Sequence, residues 1–275
     1  MITNFQQIQD SLKNKMPIPI AIVQPKHKSL QESVTKAEKN GWIIPYYFEN
    51  KNKSIAAKMA VNSVLDGTCS LLMKGDIKTS ILLKSVLANS KNSKKNRLSH
   101  IAVMETPKYD RLMLWTDGGV NVNLNKTIIT SIIHNALKIT KELKIHHPNI
   151  AMLALVEKRV SQLPETVLAD EICKCFSNDL SITVEGPISL DVALSKYAAN
   201  QKRIKSLIAG KTDVFVGPSI TTINLIVKAL LGLGQAKVGG IVLGWRVPIV
   251  LLSRSDDSTT RLNSIALGAF LTKRK

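Results

Sequence analysis

Two hydrophobic spacings take turns along this chain. Short apolar runs at 18–23 (I-P-I-A-I-V), 42–48, 70–73, 101–104 and 112–115 are flanked by polar and turn-forming residues. Runs of about four to eight such residues read as strands buried on both faces. Between them, 29–40, 54–65 and 76–88 carry apolar residues at three- and four-residue spacing, the signature of helices with one buried face. Gly41 stands where a helix over 29–40 would end. A long helix is expected over 126–143. The second half repeats the alternation, with strands expected at 150–156, 182–184, 214–216, 239–243 and 248–252, and helices at 165–176, 193–205, 219–233 and 258–271. Strands separated by helices of this length imply βαβ units and largely parallel sheets. Neither an internal repeat nor a low-complexity tract interrupts the pattern.

With 275 residues, the chain is long enough for about two domains and needs no covalent staples. Hydrophobic residues make up 44% and charged residues 21%, which argues against extensive disorder. No apolar run reaches the roughly 18 residues of a membrane span. The start, M-I-T-N-F-Q-Q-I-Q-D, has neither the basic region nor the apolar stretch of a secretory leader, so a cytoplasmic location is expected. Three cysteines, Cys69, Cys173 and Cys175, exclude a disulfide framework and a four-cysteine zinc site.

The charge changes the picture more. Thirty-eight basic against 20 acidic residues give +18, which invites a nucleic-acid reading. However, only eight of the bases are Arg, the residue that reads base edges and grips phosphate bidentately. The densest cluster, K-N-S-K-K-N-R (91–97), suits an exposed connection, and 4% aromatics cannot build stacking platforms. A lysine-rich surface that attracts small anions is the better reading.

Familiar motifs fail on inspection. A-G-K-T (209–212) lacks the first P-loop glycine, since position 205 is Lys, and it precedes a strand. No G-x-G-x-x-G opens a helix after a strand, and no metal-ligand spacing is present; His146 and His147 read as a surface loop. The informative segment is V-P-I-V-L-L-S-R-S-D-D-S-T-T (247–260). There an apolar strand ends, Ser253 and Arg254 follow at once, and Asp257 or Ser258 can cap the next helix. Ligands of parallel α/β sheets bind beyond the strands' carboxyl ends. At such a place Arg254 can grip phosphate and the Ser253 hydroxyl can donate to an oxyanion. The same residues also read as a capped loop with a surface arginine. Similar polar turns follow other strands: L-L-M-K-G-D-I-K-T-S (71–80) with Lys74, Gly75 and Thr79, W-T-D-G-G-V-N-V-N (115–123) with Asp117, and E-G-P-I-S-L-D (185–191). Taken together they point to a shared cleft. Because the companion turns of Ser253 lie in the first hundred residues, 1–98 with 245–275 is expected to form one domain and 99–244 the other.

Taken in order, M-K-G-D-I-K-T (73–79), L-S-H-I-A-V-M-E-T-P-K-Y (98–109), T-D-G-G-V-N (116–121), E-G-P-I-S-L-D-V-A-L-S (185–195), I-A-G-K-T-D (208–213), G-G-I-V-L-G-W-R-V-P-I-V-L-L-S-R-S-D (239–256) and L-N-S-I-A-L (262–267) resemble the phosphate acetyltransferase/phosphate butyryltransferase family, the butyryl branch more closely. The resemblance implies two doubly wound, three-layer α/β domains with an interdomain cleft, similar in fold to isocitrate and isopropylmalate dehydrogenases. It implies reversible transfer of a short acyl group, acetyl or butyryl, between CoA and inorganic phosphate. CoA is then a substrate, with no metal and no tightly bound cofactor. A homodimer or higher homo-oligomer is implied, with no nucleic-acid or membrane partner. By the family pattern Ser253 would stabilise the tetrahedral transition state and Arg254 would bind phosphate. Lys74, Gly75, Thr79, Asp117 and Asn224 would contribute to substrate binding. The acetyl branch carries a base carboxylate at the position of Thr260; Asp256, which matches the butyryl branch, is the nearest replacement. Thr221 and Ile223 stand where the family has a carboxylate and a glycine, so Ile223 is expected to narrow the pocket. The competing classes are a diverged member that binds CoA or a partner without turnover, and a basic nucleic-acid-binding protein.

Overall fold

The computed structural model describes residues 1–89, 97–253 and 255–274. Most of the basic run at 91–97, and Arg254, therefore lie outside the described residues. The chain divides into two compact units. The terminal unit comprises Asn4–His100 and Lys237–Lys275, and the middle unit comprises Ile101–Ala236 with Met1–Thr3.

In the terminal unit, α1 (Phe5–Asp10) and β1 (Ile18–Val23) are followed by α2 (Lys28–Lys39), β2 (Ile43–Phe48), α3 (Lys53–Leu65), β3 (Leu71–Lys74) and α4 (Thr79–Ala88). The chain returns later as β9 (Lys237–Leu243), β10 (Ile249–Val250) and α10 (Ser258–Leu271). The strand order is β2-β1-β3-β10-β9. All neighbours run parallel except β9, which is antiparallel to β10. The crossovers β1-to-β2 and β2-to-β3 step in opposite directions, so right-handed connections put α2 and α3 on opposite faces. α10 packs on α2, and α4 on α3, which completes three layers. Ile20, Ile22, Leu71, Leu72 and Met73 are fully buried, as central strands covered on both sides require. α10 is buried at every residue from Thr260 to Ala269, and Gly268 lets it approach: a Cβ there would stand about 3 Å from Val250 and Leu71.

The middle unit takes in β4 (Ser99–Glu105) from Ile101 onward and contains β5 (Met113–Thr116), α5 (Lys126–Glu142), β6 (Asn149–Leu153), α6 (Pro164–Phe176), β7 (Thr183–Ile188), α7 (Leu190–Leu194), α8 (Lys196–Gln201), β8 (Val214–Val216) and α9 (Ile220–Leu233). Its strand order is β4-β5-β8-β6-β7, parallel except for β4 against β5. Trp115 and Phe215, on adjacent strands, stack with centroids 4.2 Å apart.

Several elements depart from the hydrophobic pattern for identifiable reasons. The helix expected over 193–205 is broken at Ser195, whose extended backbone starts α8 and whose hydroxyl accepts from the Ala198 N–H. The helix expected from 76 begins only at Thr79, because the Asp76 and Ile77 N–H groups are turned to Gln24 and Gly75 carbonyls. α1, capped by the Asn4 side chain, is too short to show a period. The segment 185–188, read as a turn, continues strand β7.

One contact fixes the edge of the terminal sheet. A Cβ on Gly75 would stand 2.3 Å from the carbonyl oxygens of both Val23 and Gln24. Backbone cannot yield that distance without moving a strand. Gly75→Ala should therefore destabilise the protein by about 1–3 kcal/mol, read as a lower urea midpoint.

Candidate active site

β1, β3 and β10 run parallel, so their carboxyl ends share one edge of the terminal sheet. The chain leaving β10 forms a tight turn there. The Ser253 N–H donates to Asp256 Oδ2 at 2.7 Å, and the exposed Ser253 Oγ lies 3.0 Å from Ser255 Oγ. Two buried cations hold the turn by its carbonyls. Lys74, 6% exposed, donates to Leu252 O at 3.2 Å and Gly75 O at 3.4 Å. Arg261, 3% exposed, donates through Nε to Asp256 O (3.1 Å) and through Nη2 to Ser253 O (3.2 Å). The neighbouring aspartates divide the work: Asp257 caps α10 by accepting from the Thr260 N–H at 2.7 Å, and Asp256 ties the turn to the strand end.

The electrostatics follow from burial. Loss of water pushes the Asp256 carboxyl above its ordinary pKa, against the opposing pull of the Ser253 N–H, Arg261 and Lys74; Asp257 adds to the rise. Burial likewise lowers the Arg261 pKa. The turn therefore presents an exposed hydroxyl beside a carboxyl whose proton affinity is raised by burial.

Other groups gather on the same edge. Asp76 meets Lys53 at 3.0 Å and His27 at 3.5 Å, and the Gln24 amide donates to Asn50 O. α2 and α4 begin at His27 and Lys78 without a side-chain cap and without an acidic residue in the first turn. Helix starts of this kind carry positive potential. Thr79 is the first residue of α4 and is half-buried. Arg261 and the His27–Asp76–Lys53 group escaped the sequence reading. Neither carries a signal in the sequence: Arg261 stands among polar residues at the start of α10, as a surface arginine would, and the members of the second group come from three separate stretches of chain.

Asp117 and Asn224 belong to the middle unit. The Asp117 carboxylate, 1% exposed, accepts from the N–H groups of Gly119 (2.9 Å), Val120 (3.0 Å) and Asn121 (3.2 Å), which rolls the T-D-G-G-V-N loop around it. Asn224 Nδ2 donates to Gly118 O at 3.1 Å and pins that loop to α9. Ile223 is fully buried and lies over Gly217, so its bulk fills space inside the unit. Thr221 is exposed in the first turn of α9, and Thr260 is buried at the start of α10. The 185–191 segment serves its own unit: Glu185 accepts from Ser206 and Leu207, while Lys202 bridges Glu157 and Asp191 at 2.9 Å each. Burial pushes the Cys173 thiol up to about 12. Among the described residues no three His, Cys, Asp or Glu side chains converge on one point, and no helix is long and apolar enough to cross a membrane.

Known proteins resemble this chain over most of its length. The family described as phosphate acetyl/butaryl transferase matches residues 6–269. Phosphate butyryltransferase of Clostridium acetobutylicum is 32% identical, with all of both chains covered. Phosphate acetyltransferase of Rhizobium meliloti is 34% identical over 80% of this chain and 71% of its own. Among solved structures, a branched-chain phosphotransacylase from Enterococcus faecalis is 32% identical with a TM-score of 0.82, covering 92% of this chain and 98% of its own.

The Asp117 loop gives a direct test of the geometry. Asp117→Ala removes an acceptor that three main-chain N–H groups share and should cost about 2–3 kcal/mol. Faster hydrogen exchange at residues 119–121 should accompany the loss, and Asp117→Asn, which keeps one acceptor oxygen, should show less than half of it.

Proposed function

The chain belongs to the phosphate acetyl/butyryl transferase family, and from that premise we propose that it moves a short acyl group reversibly between CoA and inorganic phosphate. The observation that carries this reading is the Ser253–Asp256 turn at the carboxyl end of β10. A phosphate oxygen adds to the thioester carbonyl carbon, negative charge develops on the carbonyl oxygen, and the C–S bond then breaks. The products are acyl phosphate and CoA. Ser253 Oγ–H donates to the developing oxyanion, and Arg254, the adjacent cation in the sequence, binds phosphate. Asp256 takes the phosphate proton and passes it to the departing thiolate, so the proton count closes.

The remaining residues have supporting roles. Lys74 adds positive potential beneath the turn, its ammonium held by carbonyls rather than presented to solvent. Gly75, Thr79 and the uncapped starts of α2 and α4 suit the phosphate groups of CoA. Asp117 and Asn224 hold their loop in a fixed shape for a substrate contact. The excess of lysine raises the local concentration of three anionic ligands: CoA, phosphate and acyl phosphate. We also assign self-association to α9, in which only Ile223 is buried while Leu225 and Leu233 are 62% and 89% exposed.

The deciding assay is phosphate-dependent release of free CoA thiol from acetyl-, propionyl- and butyryl-CoA in parallel. Turnover with at least one supports transfer; CoA binding without release of thiol would favour a diverged, inactive member. In an active protein, Ser253→Ala should lower kcat about 10²–10³-fold and leave CoA affinity unchanged. Arg254→Gln should chiefly raise the KM for phosphate. The acid limb of kcat/KM should lie above the usual carboxylate range, because Asp256 must be ionised to act and burial raises its pKa. Asp256→Asn should abolish that limb.

The oligomer is tested separately. Leu225→Lys with Leu233→Lys should shift the wild-type sedimentation coefficient down to that of a monomer.

A further inference from the structure

We propose that Arg261 is the positioning residue of the Ser253 turn: its guanidinium holds the carbonyls of Ser253 and Asp256 together and thereby sets the directions of the serine hydroxyl and the aspartate carboxyl. The inference rests on the phosphate acyltransferase reading and names a part of that site which motif reasoning does not reach.

The geometry is specific to a guanidinium. Nε and Nη2 lie on one side of the same planar group, and each donates to a main-chain carbonyl, at 3.1 Å to Asp256 O and 3.2 Å to Ser253 O. These carbonyls bracket the turn. The turn's own main-chain bond, Asp256 N–H to Ser253 O, is long at 3.4 Å. The guanidinium is therefore the clamp that keeps the two ends in register. The Ser253 N–H is in turn taken by Asp256 Oδ2 at 2.7 Å, so fixing the backbone at both ends also fixes where the carboxyl sits. With the carbonyls drawn inward to Arg261, the Ser253 side chain is left on the exposed side.

The cost of the arrangement argues that it does more than pack α10. The helix is buried from Thr260 to Ala269, and the neutral residues Thr260, Leu262, Asn263, Ser264 and Ile265 flank the arginine there. An arginine 3% exposed in that setting loses most of its hydration, and burial lowers its pKa. Apolar side chains fill such positions at no loss of stability. Lysine is not equivalent, because a compact ammonium on a flexible stem does not supply two parallel donors in a rigid plane. Position is what the chemistry needs, since a shift of about 1 Å in a reacting group can cost on the order of 10²-fold in rate.

The test pairs kinetics with a readout that does not depend on turnover. In Arg261→Lys, hydrogen exchange at residues 252–258 should quicken at least tenfold while the β1, β3 and β6 amides keep their protection. In the same variant kcat should fall about 10- to 100-fold with the KM for acyl-CoA within threefold of wild type. In Arg261→Ala, added ethylguanidinium should restore part of kcat and methylammonium should not. Unchanged exchange over 252–258, or an Arg261→Lys kcat within twofold of wild type, overturns the proposal. So does loss of kcat in proportion to loss of protection throughout the protein, without guanidinium rescue, since that is the mark of a merely structural residue. If the wild-type protein releases no CoA thiol from any acyl-CoA, the acyltransferase reading has failed. The exchange arm then decides by itself whether Arg261 holds the turn.

Discussion

The contact between Gly75 and the carbonyl oxygens of Val23 and Gln24 sets the level at which the terminal sheet ends. No side chain fits there, and the Gly75 and Asp76 N–H groups are bonded to those same two oxygens. From that point the chain must turn, which places Lys74 under β10, Asp76 beside His27 and Lys53, and Thr79 at the start of α4. Lys74 then reaches the Leu252 carbonyl, and Arg261 takes the next two carbonyls of importance, so the Ser253 turn is anchored from both sides. This edge of the sheet is thus a backbone construction first. Its side chains are held by hydrogen bonds to main-chain carbonyls, one of which joins Lys74 to the distant Leu252.

Much of this was legible in the residue pattern. Continuous apolar runs located the central strands because strands covered on both faces tolerate little else. Ser253 and Arg254 stood out because polar residues directly after such a run sit at the functional edge of an α/β sheet. What stayed hidden depended on contacts distant in sequence. Lys74 reads as a surface or ligand-binding lysine until the carbonyl of Leu252, far along the chain, is seen against it. The antiparallel placement of β9 follows from its neighbour β10 and has no signature in its own residues. Ser195 interrupts a helical pattern by offering its hydroxyl to a new helix start, a choice that apolar periodicity does not register.

The net charge of +18 also divides differently from its sum. Lys74 and Arg261 are interior groups that point at carbonyl oxygens, whereas Lys26, Lys28 and Lys78 are exposed around the starts of α2 and α4. The first kind shapes the turn and biases Asp256 towards its ionised form. The second kind draws anions from solution and is screened by salt over roughly 10 Å. A composition count merges the two, although only the exposed set responds to ionic strength.

The terminal unit is assembled from two stretches of chain separated by the whole of the middle unit, and β10 is inserted between β3 and β9. Synthesis proceeds from the N-terminus, so β1, β2 and β3 emerge from the ribosome long before their neighbour does. Until then β3 has an open side, and unpaired strand edges invite association with other chains. The middle unit, nearly continuous in sequence, has the opportunity to fold during this interval. Closure of the terminal sheet and delivery of Ser253 are one event, because the strand that covers the edge of β3 ends three residues before the serine. A nascent chain halted before that strand has neither a finished sheet nor the Ser253 turn, which ties completion of the fold to the appearance of that turn.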